Sequence, residues 1–169
     1  LPSPCCGKRS KRRGTRSCVC SIWRSFADGG DAAEAGRSLV RRAQAERHAG
    51  RSAQAIALYA EAAEIARRGG DILTLAHRLR HIGDIHLDEG HVDLAAPFYD
   101  EALTLYRGRG DTPPLDLANL LRPLALLREK QGEREAARPF WAEARALYEQ
   151  VGVAAGVAEC TRRLQRRDP

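Results

Sequence analysis

The sequence predicts an all-α fold, a superhelical stack of three helix–turn–helix units closed by one further helix. Three observations carry this expectation. Ala and Leu are abundant while aromatics are only 5% of the chain, a bias toward side chains that lose little freedom in a helix. Three apolar-periodic segments each end at a glycine, Gly50, Gly90 and Gly132, spaced 40 and 42 residues apart. After each glycine the same landmarks return, as Ala55-x3-Tyr59-x2-Ala62, Ala95-x3-Tyr99-x2-Ala102 and Ala137-x3-Trp141-x2-Ala144. Recurrence at a fixed long period is the mark of a repeat architecture.

The elements follow in order. Residues 1–30 lack periodicity and are rich in Arg, Ser, Gly and Cys, so they are expected to form a disordered tail. This tail holds seven bases against the single acid Asp28, a net of +6, which is the whole net charge of the chain. The remaining residues, 31–169, are neutral overall and form the expected helical domain. A nucleic-acid reading built on the overall basic charge therefore applies to the tail alone. The Cys18–Phe26 segment is short and interrupted by Arg24, which does not suit a signal peptide. No apolar run reaches the roughly 20 residues needed to cross a bilayer.

Within the domain, helices are expected over 31–49, 52–69, 71–89, 92–108, 113–131, 133–150 and 153–167. Leu39, Leu79 and Leu121 correspond, followed four residues later by Ala43, Gly83 and Ala125, the spacing of one helix face. Glycine at each junction suits a helix end, where a left-handed residue satisfies the last carbonyls. The small residues at 43, 83 and 125 are expected to face Ala55, Ala95 and Ala137 so that the paired helices approach closely. The aromatics then fill the gap to the next unit. Each unit also carries Glu two places after its aromatic (Glu61, Glu101, Glu143) and ends near a glycine, Gly70, Gly110 or Gly152. Asp71 is expected to cap the third helix, and Asp111 or Thr112 the fifth, with Pro113 and Pro114 in its first turn. Pro97 and Pro139 fall early in their helices, whereas Pro123 falls inside one and is expected to kink it. The last helix carries Val157, Cys160 and Leu164 on one stripe and reads as a polar capping helix.

These landmarks resemble the tetratricopeptide repeat, and the period of 40–42 resembles its longer kinesin-light-chain-like bacterial branch. The segments Ala96-Pro97-Phe98-Tyr99-Asp100-Glu101-Ala102-Leu103 and Arg138-Pro139-Phe140-Trp141-Ala142-Glu143-Ala144 carry the likeness best. The large aromatic usual in the last turn of the first helix is replaced by Glu46, His86 and Arg128. The resemblance implies a non-catalytic scaffold that binds a protein or peptide in a concave groove. The preference for Arg over Lys is similar to that of a GC-rich bacterial genome, and the single cysteine of the domain fits a reduced, cytoplasmic setting.

In a stack of helix pairs the first helix of each pair lines the groove. The faces left over after packing offer Arg37, Val40 and Gln44, then His77, Arg80, His81 and Asp84, then Asn119, Arg122 and Leu126. From these, Arg37, Gln44, His77, Arg80, Asp84, Asn119 and Arg122 are the candidate partner-binding residues. The three arginines suggest an acidic peptide or a terminal carboxylate. His77, His81, Asp84 and Asp88 share one helix stripe, but without ligands from a second element they are read as a polar face and not as a metal site. The spacing of Cys5-Cys6 and Cys18-x-Cys20 does not suit zinc. No catalytic residues, metal or cofactor are expected, and the chain shows no membrane span. The alternatives to the scaffold are an adaptor whose tail binds nucleic acid or an anionic surface, or a fragment of a larger regulatory protein.

Overall fold

The computed structural model describes residues 29–166, so the expected tail, apart from its last two residues, and the last three residues lie outside the described residues. Seven α-helices follow one another among the described residues: α1 Gly29–His48, α2 Ser52–Gly69, α3 Ile72–Asp88, α4 Val92–Arg107, α5 Pro114–Lys130, α6 Arg134–Gln150 and α7 Ala154–Gln165. No strand is present among them. The helices form three pairs, α1·α2, α3·α4 and α5·α6, with α7 closing the stack against α6. None is long and apolar enough to cross a membrane.

The repeat landmarks form the core. Ala43, Ala55, Ala95, Tyr99, Ala125 and Ala137 are fully buried, and Tyr59 and Trp141 nearly so. The apolar clusters do not coincide with the pairs. One joins α1 and α2 to Ile82 and Ile85 of α3, another joins Ala63 and Ala66 of α2 to α3, α4 and α5, and a third joins α5, α6 and α7. No unit buries its apolar face alone, so each depends on its neighbours along the stack.

The small residue at position 83 serves the aromatic more than the facing alanine. A Cβ added to Gly83 would stand 2.7 Å from Tyr99 Cε1. Tyr99 thus lies flat against the α3 backbone of its own pair, and its hydroxyl donates to Asp84 Oδ1 at 2.9 Å. Trp141 is anchored in the same way, its indole N–H donating to Glu129 Oε1 at 2.8 Å.

The junctions explain the glycines. Gly50, Gly70, Gly90, Gly132 and Gly152 all have φ between 69° and 82°, a left-handed conformation that costs glycine little. Gly110 does not join them, and the α4–α5 connection is longer than the others. There Arg109 pairs with Asp111 at 2.5 Å and Thr112 Oγ1 donates to the Tyr106 carbonyl. Asp111 and Thr112 therefore do not cap α5, whose N-cap is Pro113 in an extended conformation (φ −59°, ψ 132°). A diproline start requires an extended lead-in, which replaces the tight glycine reversal. Asp71 does cap α3, accepting from the Thr74 N–H at 3.1 Å. α5 runs through Pro123 as one helix, the proline buried among Leu120, Leu121, Leu124 and Leu127.

The repeated glutamates have a role that periodicity alone did not reveal. Arg67 of α2 reaches Glu101 of α4 at 2.8 Å, and Arg107 of α4 reaches Glu143 of α6 at 2.7 Å. Equivalent positions thus link successive units along the even-numbered helices. Each pair is about half exposed, so each is worth at most about 1 kcal/mol and fixes register more than stability.

Candidate functional site

The odd-numbered helices form a second row. Arg47 of α1 meets Asp88 of α3 at 2.5 Å, Arg122 of α5 meets Glu159 of α7 at 2.9 Å, and Arg163 of α7 meets Glu129 of α5 at 2.6 Å. The residues expected to bind a partner all lie on the odd-numbered helices, and Arg122 of α5 is close enough to Asp84 of α3 for their charges to interact.

Arg37 and Gln44 are exposed on α1, and Arg37 is already bound to Glu34 at 2.7 Å. Val40, read from the sequence as a groove residue, is instead buried in the apolar cluster with Leu39 and Ala43. Leu126 is partly buried against the cores around α5. Asn119 accepts from the Tyr148 hydroxyl at 2.9 Å and so anchors α6. None of the three arginines is a free cation, since Arg80 pairs with Asp84 at 2.9 Å and Arg122 with Glu159.

The structure does bring the α3 residues together. The rings of His77 and His81 lie 4.7 Å apart, and Tyr59 of α2 stacks on His81 at 5.1 Å with the planes 21° apart. An Arg80 guanidinium N–H lies 3.2 Å from His81 Nε2. Arginine can only donate, so Nε2 accepts and the proton of the neutral ring sits on Nδ1. That Nδ1 is 3.6 Å from Asp84, too long for a hydrogen bond. It is buried, as is Arg80 Nε, and neither has a hydrogen-bond partner among the described residues.

A cavity of about 500 Å³ opens beside this cluster, where α1, α2 and α3 meet. Gln44, Arg47, Tyr59, His81, Ile85 and Asp88 line it. Sequence reasoning found Gln44 and His81 but not Tyr59, Arg47 or Asp88 as lining residues. Arg47 sits three residues beyond Gln44, and Asp88 continues the His77–His81–Asp84 stripe, so their helical spacing carried the missing signal.

Burial sets the charge state of the cluster. It drives the His77 imidazole down to about 3, and the Arg80 charge adds to the effect. Burial lowers His81 too, against the opposing pull of Asp84. For Asp84 burial acts upward, but His81, Arg80 and Tyr99 outweigh it and hold the carboxyl below its ordinary value. At neutral pH the cluster is therefore two neutral imidazoles beside an Arg80–Asp84 ion pair.

A pH dependence follows. As pH falls from about 6.5 toward 3, the unfolded chain protonates position 77 while the folded chain does not, so stability declines across that window. Urea unfolding is expected to show about 1–2 kcal/mol of loss between about pH 7 and pH 5 attributable to this group. His77→Gln should flatten the profile by that amount. An unchanged profile would show that His77 protonates without penalty.

The tetratricopeptide repeat family model matches residues 34–108, which run from α1 to the end of α4. No curated protein sequence matches the chain significantly. The matched span contains the α3 cluster and the cavity beside it.

Proposed function

We propose that this chain is a non-catalytic interaction module that holds an extended peptide or protein segment along its odd-numbered helices. Tetratricopeptide repeats generally mediate protein–protein interaction, and the match over residues 34–108 carries that class to this chain. The observation that favours the odd-helix row is the cavity at α1–α3. Its wall presents Gln44, Arg47, His81 and Asp88 beside buried polar atoms that lack partners. Buried donors without acceptors are costly to keep, and a ligand that satisfies them gains that energy back.

The same geometry narrows the ligand. Arg37, Arg80 and Arg122 each already hold a carboxylate. A purely acidic peptide would have to displace those internal partners. A segment offering main-chain carbonyls and amides meets the mixed donors and acceptors of the cavity more directly. The 40–42 spacing of the glycines supports the long-period type of repeat, and the single cysteine of the helical domain supports a reducing, cytoplasmic setting.

A quantitative pull-down with the full chain tests the assignment. Gln44→Arg and Arg47→Glu alter the cavity wall, and Glu61→Arg alters the even-helix side. A partner that drops at least about tenfold with the first two and remains with the third supports the reading. Equal recovery on all three would place the binding surface elsewhere.

A further inference from the structure

Three turns join the helices within the pairs, and they share one hydrogen-bond pattern. The N–H of Arg51 returns to the Glu46 carbonyl, that of His91 to the His86 carbonyl and that of Glu133 to the Arg128 carbonyl. The turn glycine just before each donates in turn to Arg47, Leu87 or Glu129. This double bond sets the side chains five residues apart next to each other, where an apolar contact is common.

In the first turn the facing side chains are Glu46 and Arg51, an ion pair. In the third they are Arg128 and Glu133, again an ion pair, at 3.2 Å. The α6–α7 turn has the same bond pattern and pairs the apolar Tyr148 with Val153. The second turn has neither solution. It sets His86 opposite His91, with ring centroids 6.3 Å apart. Glu89, between them, places Oε2 3.6 Å from His91 Nδ1. One nitrogen or oxygen from each of the three residues lies within 4.8 Å of the other two. His86 stacks on Phe98 at 5.6 Å, with the planes 14° apart, which fixes its ring. Its Nδ1 is buried and has no hydrogen-bond partner among the described residues.

We propose that His86, Glu89 and His91 bind a divalent transition-metal ion, with Zn²⁺ as the reference ion. Two imidazole nitrogens and one carboxylate oxygen form a three-ligand set that leaves coordination open to water or to a group from a bound partner. Tetrahedral bonds of about 2.0–2.1 Å need ligand atoms about 3.4 Å apart. The exposed side chains of Glu89 and His91 can close that gap by rotation, while His86 stays seated on Phe98. The bound ion would tie the end of α3 to the start of α4, as the ion pairs do in the flanking turns.

Calorimetric titration of the full chain with ZnCl₂ tests the site. Accessible thiols are alkylated first, so that Cys5, Cys6, Cys18 and Cys20 do not compete. One equivalent is expected to bind with a Kd below about 100 µM. His91→Ala, at an exposed position outside the core, is expected to weaken binding at least about tenfold and to abolish the Zn²⁺-dependent rise in Tm. His48→Ala, at another exposed histidine, should change neither. Weaker binding than this by the unmutated chain, a smaller loss in His91→Ala, or an equal loss in His48→Ala overturns the proposal.

Discussion

Trp141→Ala is expected to lower the unfolding free energy by about 3–5 kcal/mol, the usual loss for truncating a buried aromatic. Trp141 is 1% exposed and sits in the cluster that joins α5, α6 and α7. Its removal leaves a cavity in that cluster, and it leaves Glu129 without the indole N–H. The Arg163 guanidinium, 5.5 Å from the ring centroid, loses its aromatic surface as well. Domains of this kind have only about 5–15 kcal/mol of stability, so α6 and α7 should loosen first. Urea unfolding followed by circular dichroism measures the loss. Trp141→Phe separates the contributions, because it keeps most of the apolar volume and should cost about 1–2 kcal/mol. A loss below about 1 kcal/mol for Trp141→Ala would mean that the last unit contributes little to the cooperative fold.

Gly83→Val is expected to cost about 3 kcal/mol or more through overpacking. The added Cβ would approach Tyr99 Cε1 to 2.7 Å and Cδ1 to 2.9 Å. The ring cannot easily retreat, because it is fully buried and its hydroxyl is tied to Asp84. Gly83→Ala is the more discriminating variant. Replacing a mid-helix glycine gains about 1 kcal/mol of helix propensity, while the clash costs about 1–3 kcal/mol. The net expectation is a modest loss, visible as a lower thermal midpoint. A stabilised Gly83→Ala would show that Tyr99 can slide to the depth that Tyr59 and Trp141 adopt opposite Ala43 and Ala125.

The helices were largely legible in advance because their signals are local. All seven expected spans match the observed ends to within two residues at each end. The junction glycines were legible for the same reason, since a left-handed residue is a backbone requirement that few residue types meet. The α4–α5 connection departs from the pattern because Pro113 and Pro114 impose an extended lead-in.

The candidate site was only half legible. Helical spacing placed His77, His81 and Asp84 on one stripe, and the structure keeps them together. It could not show that Arg122 holds Glu159, since that pair joins residues 37 positions apart, whereas the Arg37–Glu34 and Arg80–Asp84 pairs fall at helical spacing. Nor could it show that Val40 lies in the core.

Composition, the glycine period and the Ala-x3-aromatic-x2-Ala landmarks were sufficient to establish the all-α repeat, because they act within a helix or across one turn. The cross-helix partners of Arg47, Arg122 and Arg163 and the cavity among α1, α2 and α3 were decided only by the tertiary structure. Those features depend on which face of one helix meets another, and that is not encoded in periodicity.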